Sequence, residues 1–172
     1  MQSLGTIDNQ YTILDLYESE SQLFSVKHNE TQTLYLIEVI NKEVESSLNI
    51  PEIIECLKKL NHPNFFHYLS DSKGSYTYKD KKEENCSYIV YKHENLKHYN
   101  LEDYIRNKNG FSEKQAKLIL KKILEGLKAM HNLNICHRDL KPSKILFDEN
   151  YNLKISVSWT CCLNSENLDL VI

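Results

Sequence analysis

The stretch FSEKQAKLILKKILEGLKAMHN, residues 111–132, constrains the fold more than any other part of this chain. Ala116, Ile119, Leu120, Ile123, Leu124, Leu127 and Met130 recur at helical spacing and make one apolar stripe. Ser112, with Gln115 three residues on, is a capping box in which the two side chains satisfy backbone N–H groups at the helix start. The pattern predicts one long amphipathic helix whose stripe packs into a core. A shorter helix, NLEDYIRN, precedes it.

The first half of the chain has a different period. YTILDL, QLFSVKH and TLYLIEVI alternate and are rich in β-branched and aromatic residues, which predicts three strands of an antiparallel meander with HNETQ as a polar turn. In PEIIECLKKL, Pro51 suits a first helical turn, Ile53, Ile54, Leu57 and Leu60 share a face, and Asn61-His62-Pro63 stops the helix. FFHYLS and SYIVYKH fit two more strands, separated by a charged loop containing Gly74. After the long helix, KILFDENYNLKIS predicts a hairpin turning at Asp148-Glu149-Asn150, and a tail follows. Strands first and helices afterwards argue for two segregated layers of the α+β class.

Length and charge narrow the function. A chain of 172 residues supports one domain with a proper core. The net charge of -3 offers no basic field to nucleic acid or anionic lipid, so neither is an expected partner. KDKKEEN mixes both signs and reads as a solvated loop. Five cysteines are an odd number without C-x-x-C spacing, and the vicinal Cys161-Cys162 pair cannot easily bridge; reduced thiols are expected, not a zinc site. The start, MQSLGTIDNQ, has no signal-peptide core, and no apolar run reaches membrane length. The expected location is the cytoplasm or nucleus.

His137-Arg138-Asp139-Leu140-Lys141-Pro142 resembles the catalytic loop of eukaryotic protein kinases, H-R-D-L-x-x-x-N. NHPN after a short helix, the strand ending in YKH, the long helix and the hairpin arrive in the kinase order, so the resemblance covers the chain from about Tyr11 to Cys162. Lys141, two residues after the aspartate, resembles the serine/threonine-specific branch. The resemblance implies a protein-kinase-like α+β domain over residues 11–172. Residues 11–93 would be an antiparallel-sheet N-lobe with one helix, residues 94–172 the first, helical part of a truncated C-lobe, and residues 1–10 a short tail. It also implies roles at two positions: Asp139 orients the proton of a substrate hydroxyl, and Lys141 neutralises charge on the moving phosphoryl group.

Four devices of the family are altered. The glycine-rich loop aligns with YESESQLFSV, where Ser19, Ser21 and Phe24 stand at the three glycine positions and two glutamates lie where phosphate oxygens would be. The lysine that grips the phosphates aligns with Glu38, an anion, and the small residue roofing the adenine with Leu36. Ile53 occupies the place of the helix glutamate that pairs with that lysine, with Glu52 and Glu55 flanking it. At the metal positions stand Lys144 and Val157, the latter opening Val157-Ser158-Trp159 where D-F-G would be. The expectation is a domain without bound cofactor, metal ligands or catalysis, a pseudokinase that scaffolds or regulates a protein partner, an active kinase among the candidates. Two alternatives stay open. One is a divergent serine/threonine kinase using ATP and magnesium, with Lys27, Lys42 or Lys144 as substitute cation. The other is a decaying gene product without a selected role. The implied truncation leaves the long helix's stripe either exposed or covered by a partner.

Overall fold

A computed structural model describes residues 4–19, 21–40, 42–108, 110–157 and 161–163, which fall into two compact units. In chain order the elements are β1 (Gly5–Ile7), β2 (Tyr11–Glu18), β3 (Leu23–His28), β4 (Leu34–Ile40), α1 (Lys42–Glu45), α2 (Ile50–Lys59), β5 (Tyr68–Tyr78), β6 (Lys81–Lys92) and β7 (Leu96–Asn100). Then follow α3 (Leu101–Lys108), α4 (Glu113–Asn132), β8 (Ile135–Cys136), β9 (Ile145–Asp148), β10 (Leu153–Ile155) and β11 (Cys162–Leu163).

In the first unit, residues up to Asn49 with His67–His98, six antiparallel strands close into a barrel of order β1-β2-β3-β4-β6-β5. The meander β2-β3-β4 forms where alternation places it, and its inward residues Ile13, Phe24, Val26, Ile37 and Val39 fill the interior with Ile7, Tyr76, Tyr88 and Val90. Two expectations are corrected here. The charged stretch between FFHYLS and SYIVYKH is not a loop: KDKKEEN forms a tight turn and the start of β6, with Tyr76 opposite Glu83 and Tyr78 opposite Lys81. Its charges face solvent, and the buried Tyr76 supplies the inward packing that the run itself lacks. The stretch expected as a tail also contributes a strand. Gly5–Ile7 pairs with both β2 and β5 and closes the barrel. A Cβ on Gly5 would come within 1.9 Å of the Thr77 carbonyl oxygen, so the closure needs a residue without a side chain.

The second unit joins Ile50–Phe66 to the chain from Tyr99 onward, so the division is not the contiguous one at residue 93. The reason is local: α2 packs against β11, and the segment after it is sewn to β10. Asn64 donates from Nδ2 to the Leu153 carbonyl at 2.9 Å, its own carbonyl accepts from Ile155 N–H at 2.7 Å, and Phe65 bridges Ile155. The hairpin β9-β10 turns where expected, with Asp148 accepting from the N–H groups of Asn150 and Asn152.

Helix α4 begins with the expected capping box, Ser112 and Gln115 bonding reciprocally. Its stripe departs from the core-packing expectation. Met130 is buried, but Leu120 and Leu124 are each 55% exposed and neighbouring Leu118 58%. Helix α4 meets β8 and β10, and its buried residues, Gly126 and Met130, fall in its C-terminal half. Among the described residues no helix is long and apolar enough to cross a membrane.

Candidate functional site

The positions singled out by sequence are divided between the units. Leu36 and Glu38 lie on β4 in the first; Ile53, Asp139, Lys141, Lys144 and Val157 lie in the second.

On β4, Leu36 is fully buried, opposite Ser25 of β3 and Tyr91 of β6. Glu38 sits opposite Leu23 and Ile89 and is only 2% exposed, which excludes a solvated surface role for its carboxylate. Tyr91 donates its hydroxyl to Glu38 Oε2 at 2.8 Å, a buried bond between adjacent strands. Sequence reasoning missed Tyr91. The signal was there: Tyr91 lies two residues beyond Ile89 on the same face of β6, within diagonal reach of Glu38. At the glycine-loop positions Ser19 is exposed, Ser21 buried, and Phe24 packs in the barrel on Tyr76 and Tyr78 with ring centroids 5.7 and 5.1 Å away. Glu20 lies outside the described residues. Of the substitute cations, Lys27 is half-buried on β3 and Lys42 is exposed.

In the second unit, the HRDLKP segment follows β8 and runs into a single 3-10 turn at Pro142–Lys144. Arg138 holds a left-handed backbone, φ 61°, a conformation costly for a non-glycine residue and kept only where surroundings enforce it. Buried His137 supplies that enforcement. Its Nε2 lies 3.0 Å from the Ser156 carbonyl oxygen, and its Nδ1 accepts from the Asp139 N–H at 3.3 Å. A carbonyl can only accept, so Nε2 carries the proton and the ring is neutral. Burial pushes the imidazole pKa below its ordinary value, in agreement with that tautomer. The loop is thus tied by His137 to the strand end at Ser156, beside Val157.

Asp139 is half-buried, with Lys141 Nζ 3.6 Å from its Oδ1. The two retained catalytic-loop positions are thus in direct contact. Lys144 is 2% exposed; its N–H donates to the Lys141 carbonyl at 3.0 Å and its carbonyl accepts from Ser156 N–H at 2.8 Å. Those two bonds set Lys144 next to the segment that carries Val157, whose side chain is buried. Ser158 and Trp159 lie outside the described residues. Ile53 is buried on the inner face of α2 with Ile54 and Leu57, whereas Glu55 faces out in an ion pair with Lys59. Among the described residues no group of three or more His, Cys, Asp or Glu is arranged to hold a metal ion. Cys56, Cys86, Cys136 and Cys161 are free thiols.

This order of a strand-built unit, a helix, the His-Arg-Asp loop and a following hairpin defines a protein kinase domain, and comparison agrees. The protein kinase domain family matches residues 19–156, and the chain belongs to that family. Among curated proteins it is 31% identical over 140 residues to a "Probable myosin light chain kinase" of Dictyostelium discoideum, covering 80% of this chain and 41% of that one. It is 30% identical over 128 residues to the mitogen-activated protein kinase homolog NTF6 of Nicotiana tabacum, covering 74% of this chain and 33% of that protein. Identity to the serine/threonine-protein kinase SIK1 of Mus musculus is 30% over 133 residues, covering 76% and 16%. The matched stretch thus spans well under half the length of each relative.

Proposed function

We propose that this domain does not transfer phosphate but serves as a protein-binding scaffold or regulator, with an active kinase among the candidate partners. The observation that carries the reading is Glu38, a buried carboxylate held by Tyr91 where the family places the cation for the phosphates. A carboxyl group at that point cannot grip a triphosphate as a cation would, and in its ionised form it would repel one. Lys144 and Val157 support the same reading, because magnesium requires hard oxygen donors and neither side chain has one. These residues do not fit Mg-ATP, and no cofactor is expected. Removing one well-placed electrostatic group costs ~2.7–4 kcal/mol of transition-state stabilisation, about 100- to 1,000-fold in rate. With phosphate cation and metal ligands both altered, Asp139 would orient a hydroxyl toward no donor. The exposed leucines of α4, Leu118, Leu120 and Leu124, favour a protein partner over nucleic acid or membrane. Cytoplasm or nucleus is the proposed location.

The Asp139–Lys141 contact favours a second reading, a divergent and weakly active serine/threonine kinase that would need ATP and magnesium. Thermal melting with ATP, with and without magnesium, separates the two. The scaffold reading expects no Mg-ATP-dependent rise in melting temperature, and a clear rise overturns it. Incubation with labelled ATP and generic protein substrates gives the complementary test: any incorporation abolished by Asp139→Ala establishes the enzyme.

A further inference from the structure

Away from every kinase-like position, a pocket of about 440 Å³ opens in the second unit, lined by Tyr99, Tyr104 and Tyr151 with Asp103 and Asn107. Its tyrosines are firmly set. Tyr99 and Tyr104 lie 6.1 Å apart at 45° and both rest on Phe147, at 6.2 and 6.4 Å; Tyr104 also stacks parallel on Phe111 at 4.6 Å. The Tyr99 hydroxyl is hydrogen-bonded to that of Tyr151, and burial together with this bond pushes the Tyr99 phenol up to about 12, keeping it neutral. Tyr151 is 59% exposed and sits in the β9-β10 turn with a left-handed backbone, φ 60°, its N–H donating to the Asp148 carbonyl at 3.0 Å. Asp103 is held at the start of α3 by the Asn100 N–H, which donates to its Oδ2 at 3.1 Å, while its own N–H donates to Asn100 Oδ1 at 2.9 Å.

Among the described residues the lining therefore holds three electron-rich rings and one carboxylate, and no cationic side chain. Aromatic faces carry negative quadrupole potential, and a carboxylate adds to it, so the chemistry selects an organic cation over an anion or a neutral solute. The volume lies in the range of small-ligand sites and exceeds what a lone headgroup needs, leaving room for its alkyl stem.

We propose that this pocket binds an alkylammonium group, carried either by a free choline-like molecule or by a methylated lysine of a partner protein. The proposal is independent of whether the domain handles nucleotide. Its test is titration of the full chain with choline, with an N-acetyl trimethyllysine amide, and with 3,3-dimethylbutanol, the neutral isostere of choline, following tyrosine ring resonances by NMR. Saturable shifts are expected with at least one of the two cations, and ~10-fold weaker binding of the neutral isostere, the size of a partly desolvated cation–π contribution. Binding by choline alone assigns the small molecule; tighter binding of the lysine derivative assigns the protein side chain. Tyr151→Ala, which removes an exposed ring without touching the core, should weaken binding several-fold, as should Asp103→Asn; Tyr99→Phe should retain it. Equal binding of isostere and cations, no saturable shift at millimolar cation, or an unchanged affinity in Tyr151→Ala overturns the proposal.

Discussion

Replacing Tyr91 by phenylalanine removes one oxygen from the buried contact that fixes Glu38. The ring is retained, and because Tyr91 is buried, little repacking accompanies the loss. The bond is 2.8 Å long, buried, and accepted by a carboxylate. Removing the donor of a buried hydrogen bond costs ~1–3 kcal/mol, above the ~1 kcal/mol net of a typical pair. Tyr91→Phe should therefore lower unfolding free energy by about 2 kcal/mol in urea denaturation, with the denaturant slope unchanged. The specific claim is coupling. In a Glu38→Leu background the carboxylate is already gone, so the same Tyr91→Phe change should cost less than about 0.5 kcal/mol, leaving an interaction energy of more than ~1 kcal/mol in the double-mutant cycle. An equal cost in both backgrounds would refute the reasoning. Tyr91 would then not hold Glu38, and the buried carboxyl behind the proposed loss of phosphate binding would lose its anchor.

Other outcomes follow from single features. His137 has a pKa below its ordinary value in the folded chain because burial disfavours the imidazolium. The unfolded chain thus takes up more protons as pH falls through about 6.5, so stability should decline from neutral pH toward the lowered pKa and level off beneath it; melting from pH 7.5 to 5 measures this. His93 shifts the same way, also through burial, so His137→Asn should flatten the decline only in part. Gly5→Ala drives a Cβ onto the Thr77 carbonyl, and should destabilise the first unit by ~2 kcal/mol or more, with hydrogen exchange accelerating first in β1 and β5. Leu124→Lys should change stability by less than ~0.5 kcal/mol, against the ~2–5 kcal/mol typical of a buried leucine, and a loss in the larger range would place that side chain in a core after all.

Much of the architecture was legible because it is encoded by near neighbours. The α4 start needs only Ser112 and Gln115, three residues apart, and the β9-β10 turn needs only Asp148 and the amides just after it. Where the encoding is distant, reading failed. β6 begins in a run of lysines and glutamates whose strand state depends on β5 beside it, and β1 is three residues long with no period of its own. The α4 stripe shows both sides of the matter: helicity was legible from spacing, but burial of Leu120 and Leu124 was not, since burial depends on which elements come to rest there. Glu38 was legible as an altered position, while its burial and its bond to Tyr91 were not.

What the residues determined alone is chemical identity at each place: a carboxyl group at Glu38, an amine at Lys144, an isopropyl group at Val157, an intact His137-Arg138-Asp139 run. Those properties are covalent and survive any fold. Tertiary structure decided which of these groups are removed from water and what they touch. Glu38 meets Tyr91 across 53 residues of chain, and His137 meets Ser156 across 19. Desolvation and hydrogen bonding are set by atoms near in space, and that proximity exists only once strands and loops have closed around them.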